Sequence, residues 1–352
     1  MTSEANIPEG ATGSVQEQQE QAVENSNITD LALCVHDQDK SFCFPGPMEI
    51  PGVLRDYCAA LLTRCEEMRR LEPEREDFTV SHRDISWRVH VDDRAVDGQW
   101  LRARRMPKQA PHLGEGGLPS RLPPSMVNVL LHPELRRGGL IMIMGGAGCG
   151  KTHTAAAIVR SRLEHFGGIA YTVEDPPEHP LHGWHEGPNK VRGYCTQTLV
   201  ASGVRTPDGW AASMNGALRS QPAGTPCILF VGEIRSNMAA DVAIQAAGNG
   251  FLVIVTSFAT DIPSGVADLI KRVGVERAGV ISRLLRVVLY QRLVDGMLSA
   301  KICVSPNANS RMAAMMMGGL GQLARLDEEV QRQANYVRTD ADLWRATVPE
   351  GS

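Results

Sequence analysis

Residues 145–152 read Gly145-Gly146-Ala147-Gly148-Cys149-Gly150-Lys151-Thr152, a complete G-x-x-x-x-G-K-[ST] series. The chemistry of that spacing is phosphate binding. Glycines let successive backbone N–H groups turn inward around anionic oxygens. Lys151 reaches β- and γ-phosphates, and Thr152 holds Mg²⁺ through its hydroxyl. The ligand pair implied is ATP with Mg²⁺. Such a loop needs a buried strand before it and a helix N-terminus after it, where the helix dipole reinforces the N–H groups. Both are present: Leu140-Ile141-Met142-Ile143-Met144 reads as a buried strand, and 154–164, with Ala155, Ala156, Ala157, Ile158 and Leu163, reads as a helix.

A phosphate-cleaving site also needs an acid beside the γ-phosphate to orient or deprotonate water. Two apolar runs end in acids. The run 169–173 is followed by Glu174-Asp175-Pro176-Pro177-Glu178, and 228–231 by Gly232-Glu233-Ile234-Arg235. Glu233 follows four apolar residues and a glycine, as the role requires. Glu174 and Asp175 precede Pro-Pro, a context shared with plain turns. Cys149, inside the loop, is either a small tolerated residue or, at a helix N-terminus, an activated thiol. His179, His182 and His185 fall in a Pro/Gly-bearing stretch with no helix to align them, and read as surface residues rather than metal ligands. Met312 and Met315-Met316-Met317 read as a packed helix.

The elements that position these residues follow from pattern. From Met126 strands and helices alternate, which predicts an α/β domain with a mostly parallel sheet. Its strands fall at 140–144, 169–173, 228–231 and 251–255, with helices at 239–247, 265–272 and 277–285. A hairpin is predicted at 287–293 and 297–304, turned by Asp295-Gly296, and helices over 309–344. Before this lies a helix over 51–71 and two strand-like stretches, 78–91 and 99–106, which suggest a small α+β domain. The expected division is a disordered acidic tail over 1–40, an N-terminal domain over 41–107, a Gly/Pro-rich linker over 108–125, a catalytic domain over 126–305 and C-terminal helices over 306–352. Such linkers usually join domains that move relative to one another.

Composition sets outer bounds. The chain has 352 residues, 43 % hydrophobic and 22 % charged, enough for about two domains. A net charge of −4 gives no global case for nucleic-acid binding, so no direct nucleic-acid partner is expected. No apolar run approaches the ~18 residues of a transmembrane segment. The polar N-terminus does not read as a secretory signal. The eight cysteines are scattered without a C-x-x-C pair, which suits reduced thiols in the cytoplasm.

Taken in order, G-G-A-G-C-G-K-T, T-V-E-D-P-P-E, A-L-R-S-Q-P and I-L-F-V-G-E-I-R resemble the type II/type IV secretion ATPases, the PilT/GspE-like group of pilus, type II secretion, conjugative and Dot/Icm-type motors. The resemblance covers roughly 78–325. It implies a PAS-like N-terminal domain, a RecA-like ATPase domain and a homohexamer. It also implies Glu233 as catalytic glutamate in a Walker B motif, and Glu174, in the family's Asp box, as a second acid organising water or metal. Arg104, in L-R-A-R-R-M-P, matches the arginine that reaches phosphate from the N-terminal domain, with Arg102 and Arg105 as alternatives. Arg219 matches an arginine helix before Walker B, although Asn215 stands where another arginine is common. The implied function is ATP hydrolysis driving an inner-membrane platform protein, from a cytoplasmic position peripheral to that membrane. The alternatives are a nucleotide-binding accessory paralogue with weak turnover and, on weaker grounds, a RecA-like DNA translocase. One departure stands out: Phe251 and Phe258 occupy the two histidine positions of the family's His box, and phenylalanine cannot hydrogen-bond a phosphate. Size favours a compact member over those with an added N-terminal domain and a four-cysteine zinc insertion.

Overall fold

The computed structural model describes residues 27–73, 75–114, 122–200, 208–234 and 236–348. The chain divides into two compact units at the Lys108/Gln109 boundary.

Among the described residues the first unit is one antiparallel sheet carrying one α-helix. Its strands are β1 (Asp30–Cys34), β2 (Phe42–Phe44), β3 (Met48–Glu49), β4 (Asp77–His82), β5 (Ile85–Asp92) and β6 (Trp100–Arg105), in the order β3-β2-β1-β6-β5-β4. Helix α1 (Arg55–Leu71) buries Tyr57, Leu61, Leu62 and Cys65 against Trp87, Val89 and Leu101. Trp87 is fully buried, and its indole N–H donates to the Tyr57 hydroxyl at 2.9 Å, so no donor is stranded. Two expectations are corrected here. The stretch 78–91 is two strands, parted by a tight turn in which Arg83 and Asp84 both take positive φ. The stretch 1–40, expected to be disordered, contains β1, whose Leu31, Leu33 and Cys34 are buried and which pairs with β6 over its whole length. Residues 1–26 lie outside the described residues.

The second unit is built on an eight-stranded sheet, ordered β14-β13-β7-β12-β11-β8-β10-β9. Its elements are α2 (Pro124–Leu130), β7 (Gly139–Met144), α3 (Lys151–Phe166), β8 (Gly168–Glu174), β9 (Gly183–Glu186), β10 (Arg192–Leu199), α4 (Gly209–Arg219), β11 (Cys227–Val231), α5 (Asn237–Gly248), β12 (Leu252–Ser257), α6 (Ile262–Val273), α7 (Ala278–Leu284), β13 (Leu285–Val294), β14 (Met297–Val304), α8 (Arg311–Met317), α9 (Leu326–Arg338) and α10 (Leu343–Ala346). From β13 to β10 every neighbour is parallel; β14 and β9 close the two edges antiparallel. β7 and β12 are buried at every residue, as a central parallel strand covered on both faces must be.

The boundaries drawn on composition shift. Ala110, Leu113 and Leu122, inside the expected linker, are buried in this unit's core. The Leu113 amide donates to Ser161 Oγ at 2.9 Å, Arg160 donates to the Ala110 carbonyl, and His112 meets Glu164 at 3.1 Å. The described part of the linker is therefore strapped along α3; residues 115–121 lie outside the described residues. The C-terminal helices are also integral. Gln333 of α9 completes the end of β14, accepting from the Val304 amide at 2.8 Å and donating to its carbonyl at 3.1 Å. Met312, Met316, Leu326 and Val330 join the core. No described helix is long and apolar enough to cross a membrane.

Candidate functional site

The loop between β7 and α3 is shaped by its glycines. Gly145, Gly148 and Gly150 all have positive φ, at 152°, 69° and 83°. At Gly145 the constraint is also steric, because a Cβ there would lie 2.1 Å from the Gln291 carbonyl oxygen. Gln291, fully buried on β13, donates from Nε2 to the Cys149 carbonyl at 2.7 Å and so braces the loop from beneath. Cys149 is itself buried. Helix α3 starts at Lys151 with glycine as N-cap and no side-chain cap, whereas α4, α5, α6 and α8 are capped by Asp208, Ser236, Asp261 and Ser310. Uncapped N–H groups inside a glycine loop make an anion cradle. Lys151 is only 9 % exposed, and its Nζ donates to the carbonyls of Gly146 at 2.6 Å and Gly145 at 3.2 Å.

The acids arrive at the same, carboxyl-terminal edge from β11 and β8, two and three strands along the sheet from β7. Glu174 ends β8 and is 2 % exposed. Burial pushes its carboxyl up to about 7. Its Oε1 accepts from Gln197 Nε2 at 3.0 Å. Gln197, on β10, is a hub: Nε2 also donates to the His179 carbonyl at 2.9 Å, while Oε1 accepts from the Leu181 and His182 amides, each at 2.9 Å. Glu233 lies two residues past β11, half-buried, with Gly232 between. That glycine brings the two strand ends together. Its amide donates to the Val173 carbonyl at 2.9 Å, and a Cβ on it would lie 3.5 Å from Glu174 Cγ. Glu174 and Glu233 thus follow adjacent parallel strands.

Three expectations need revision. His179 is not a surface residue: it is 9 % exposed, its ring meets that of His153 edge-on at 5.1 Å, and burial lowers its pKa to about 4. His185 is half-buried, bonded to the Leu181 carbonyl at 2.7 Å; His182 alone of the three is exposed. Arg219 is exposed at the C-terminal end of α4, which leads into β11 and so lies toward the edge opposite the glycine loop. The two His-box positions differ in kind. Phe251 is fully buried at the start of β12, while Phe258 follows the end of β12, with its ring centroid 4.2 Å from Lys151 Nζ. Gln291, Gln197 and His153 are site residues that pattern reading missed. The signal for Gln291 is a lone amide among the otherwise apolar buried positions of β13.

In the first unit, Arg104 lies on β6, its Nε donating to Asp30 Oδ1 at 2.7 Å. Arg88, Arg102 and Arg104, with Asp30, Asp77 and His90, line an open hollow of about 630 Å³ on one sheet face. Arg102 also lies over the Trp100 ring at 5.1 Å.

A buried parallel strand, a glycine loop, an uncapped helix and acids at the same edge of the sheet define a P-loop nucleotide-binding protein. The chain belongs to the type II/IV secretion system protein family, whose pattern its residues 78–335 match. It is 29 % identical over 331 residues to the type II secretion system protein HxcR of Pseudomonas aeruginosa, covering 86 % of this chain and 64 % of that protein. It is 28 % identical over 237 residues to the type IV pilus ATPase PilU of the same organism, covering 65 % of this chain and 56 % of PilU. The chain therefore spans roughly half to two thirds of these relatives' length. In fold it is similar to the pilus retraction motor PilT with bound ADP (TM-score 0.68, 20 % identity, 97 % of this chain and 98 % of that one). It is similar also to the Legionella pneumophila ATPase DotB (TM-score 0.64, 18 % identity, 95 % and 90 %).

Proposed function

We propose that this chain is an ATP-hydrolysing motor subunit of a pilus, type II secretion or conjugative/type IV secretion-like machine. The observation that carries this is the pairing of an uncapped, glycine-cradled helix N-terminus with Glu174 and Glu233 at the carboxyl ends of adjacent strands. ATP phosphates bind in the cradle of Gly145 to Gly150, and Lys151 leaves the loop carbonyls to meet the β- and γ-phosphates. Glu233 orients the attacking water. Glu174, raised by burial to about 7 so that both its forms are populated near neutral pH, donates or accepts a hydrogen bond in the same water shell. Mg²⁺ would supply charge neutralisation, held by Thr152 and the phosphates.

On this reading the second unit is RecA-like and the first PAS-like, and Arg104 exchanges Asp30 for nucleotide phosphate in a hexameric ring. Hydrolysis drives an inner-membrane platform protein from the cytoplasmic side. Phe258 against Lys151 favours one competing reading, a nucleotide-binding accessory subunit with weak turnover. Steady-state ATP hydrolysis by the full chain, with oligomer mass measured on the same sample, separates the two. The motor reading expects a ring whose turnover falls at least about 100-fold in Lys151→Ala and Glu233→Gln. A ring that binds ATP without turnover sinks it.

A further inference from the structure

Phe258 and Lys151 make a contact that the hydrolytic scheme does not use. The Lys151 ammonium is enclosed on three sides: two donors go to the carbonyls of Gly145 and Gly146, and the Phe258 ring face covers a third side at 4.2 Å. With the residue only 9 % exposed, little water competes, and an aromatic face holds a desolvated cation more firmly than a solvated one. The ring is delivered by a braced turn. Ser257 ends β12, and four residues later Asp261 caps α6, accepting from the Ser264 amide at 2.7 Å while Ser264 Oγ accepts from the Asp261 amide. Phe258 itself is 55 % exposed, so its position is not dictated by core packing.

We propose that Phe258 sets the nucleotide affinity of the site by competing with the phosphates for Lys151. The inference rests on the nucleotide-site reading above. The ring face carries negative quadrupole charge, so it stabilises the ammonium before nucleotide arrives and repels phosphate oxygens as they approach. Binding must separate the pair. An imidazole there could donate to a phosphate oxygen, but a phenyl ring offers nothing in exchange. Nucleotide is therefore held more weakly, and released sooner, than by the same loop without the ring.

The test is an equilibrium titration of a non-hydrolysable ATP analogue with Mg²⁺ into the full chain and into F258L and F258Y. Leucine keeps apolar bulk and removes the π face; tyrosine keeps the face. Phe258 is mostly exposed, so both variants should fold, which a thermal melt verifies. F258L should bind about three- to tenfold more tightly, with F258Y within about twofold of the parent chain. F258L binding no more tightly than the parent, or F258Y shifting as far as F258L, overturns the inference. Absence of binding in the parent and both variants overturns the nucleotide-site reading and this inference with it.

Discussion

The two ends of β12 carry the same side chain in opposite circumstances. Phe251, just before the strand, has no exposed surface, and its backbone carbonyl accepts from the Gly139 amide at 3.0 Å. Phe258, just after it, is 55 % exposed and faces a lysine ammonium. In an open parallel sheet, one edge packs and the other holds loops that work. A histidine-to-phenylalanine difference at the packed edge is a matter of core volume. At the working edge it changes what the phosphate-binding lysine touches.

The largest effect should come from truncation at the packed end. Phe251→Ala should cost about 3–5 kcal/mol in urea denaturation, through lost burial and a residual cavity. Phe258→Ala should cost no more than about 1.5 kcal/mol, the share of its ring–ammonium contact. Equal losses at both positions would break the comparison. A smaller effect is expected from the working edge's buried acid. Glu174 has its folded-state pKa raised, from 4.5 to about 7, so its protonated form favours the fold. That contribution is fully present at low pH and is lost as pH rises through about 7. In nucleotide-free denaturation, the stability of the parent chain relative to Glu174→Gln should fall between about pH 4.5 and 7 and level off above. A flat difference would place Glu174 in water.

Much of this edge was legible in the sequence, because its signals are local. The glycine loop with the apolar strand before it, and each acid with the apolar strand before it, are short contiguous runs of the chain. What escaped is non-local. Asp30–Cys34 is a five-residue strand after a long polar stretch, and its principal partner β6 lies some seventy residues on. β9 is four residues long and β10 mixes Arg, Thr and Gln with its apolar residues, so their apolar signal is weak. His179 looks like a loop histidine until Gln197 of β10 binds its carbonyl and His153 of α3 covers its ring. Composition also failed at Ala110 and Leu113, since glycines and prolines nearby mask two residues that pack against the core.

The central claim is that the glycine loop binds ATP and that Glu233 drives its cleavage. The most direct measurement is the amount and chemical identity of nucleotide retained after ATP and Mg²⁺ are added to the full chain, Glu233→Gln and Lys151→Ala. The account predicts intact ATP on Glu233→Gln, ADP on the parent chain and little nucleotide on Lys151→Ala. Equal retention by Lys151→Ala, or ADP accumulating as fast on Glu233→Gln as on the parent, would contradict it.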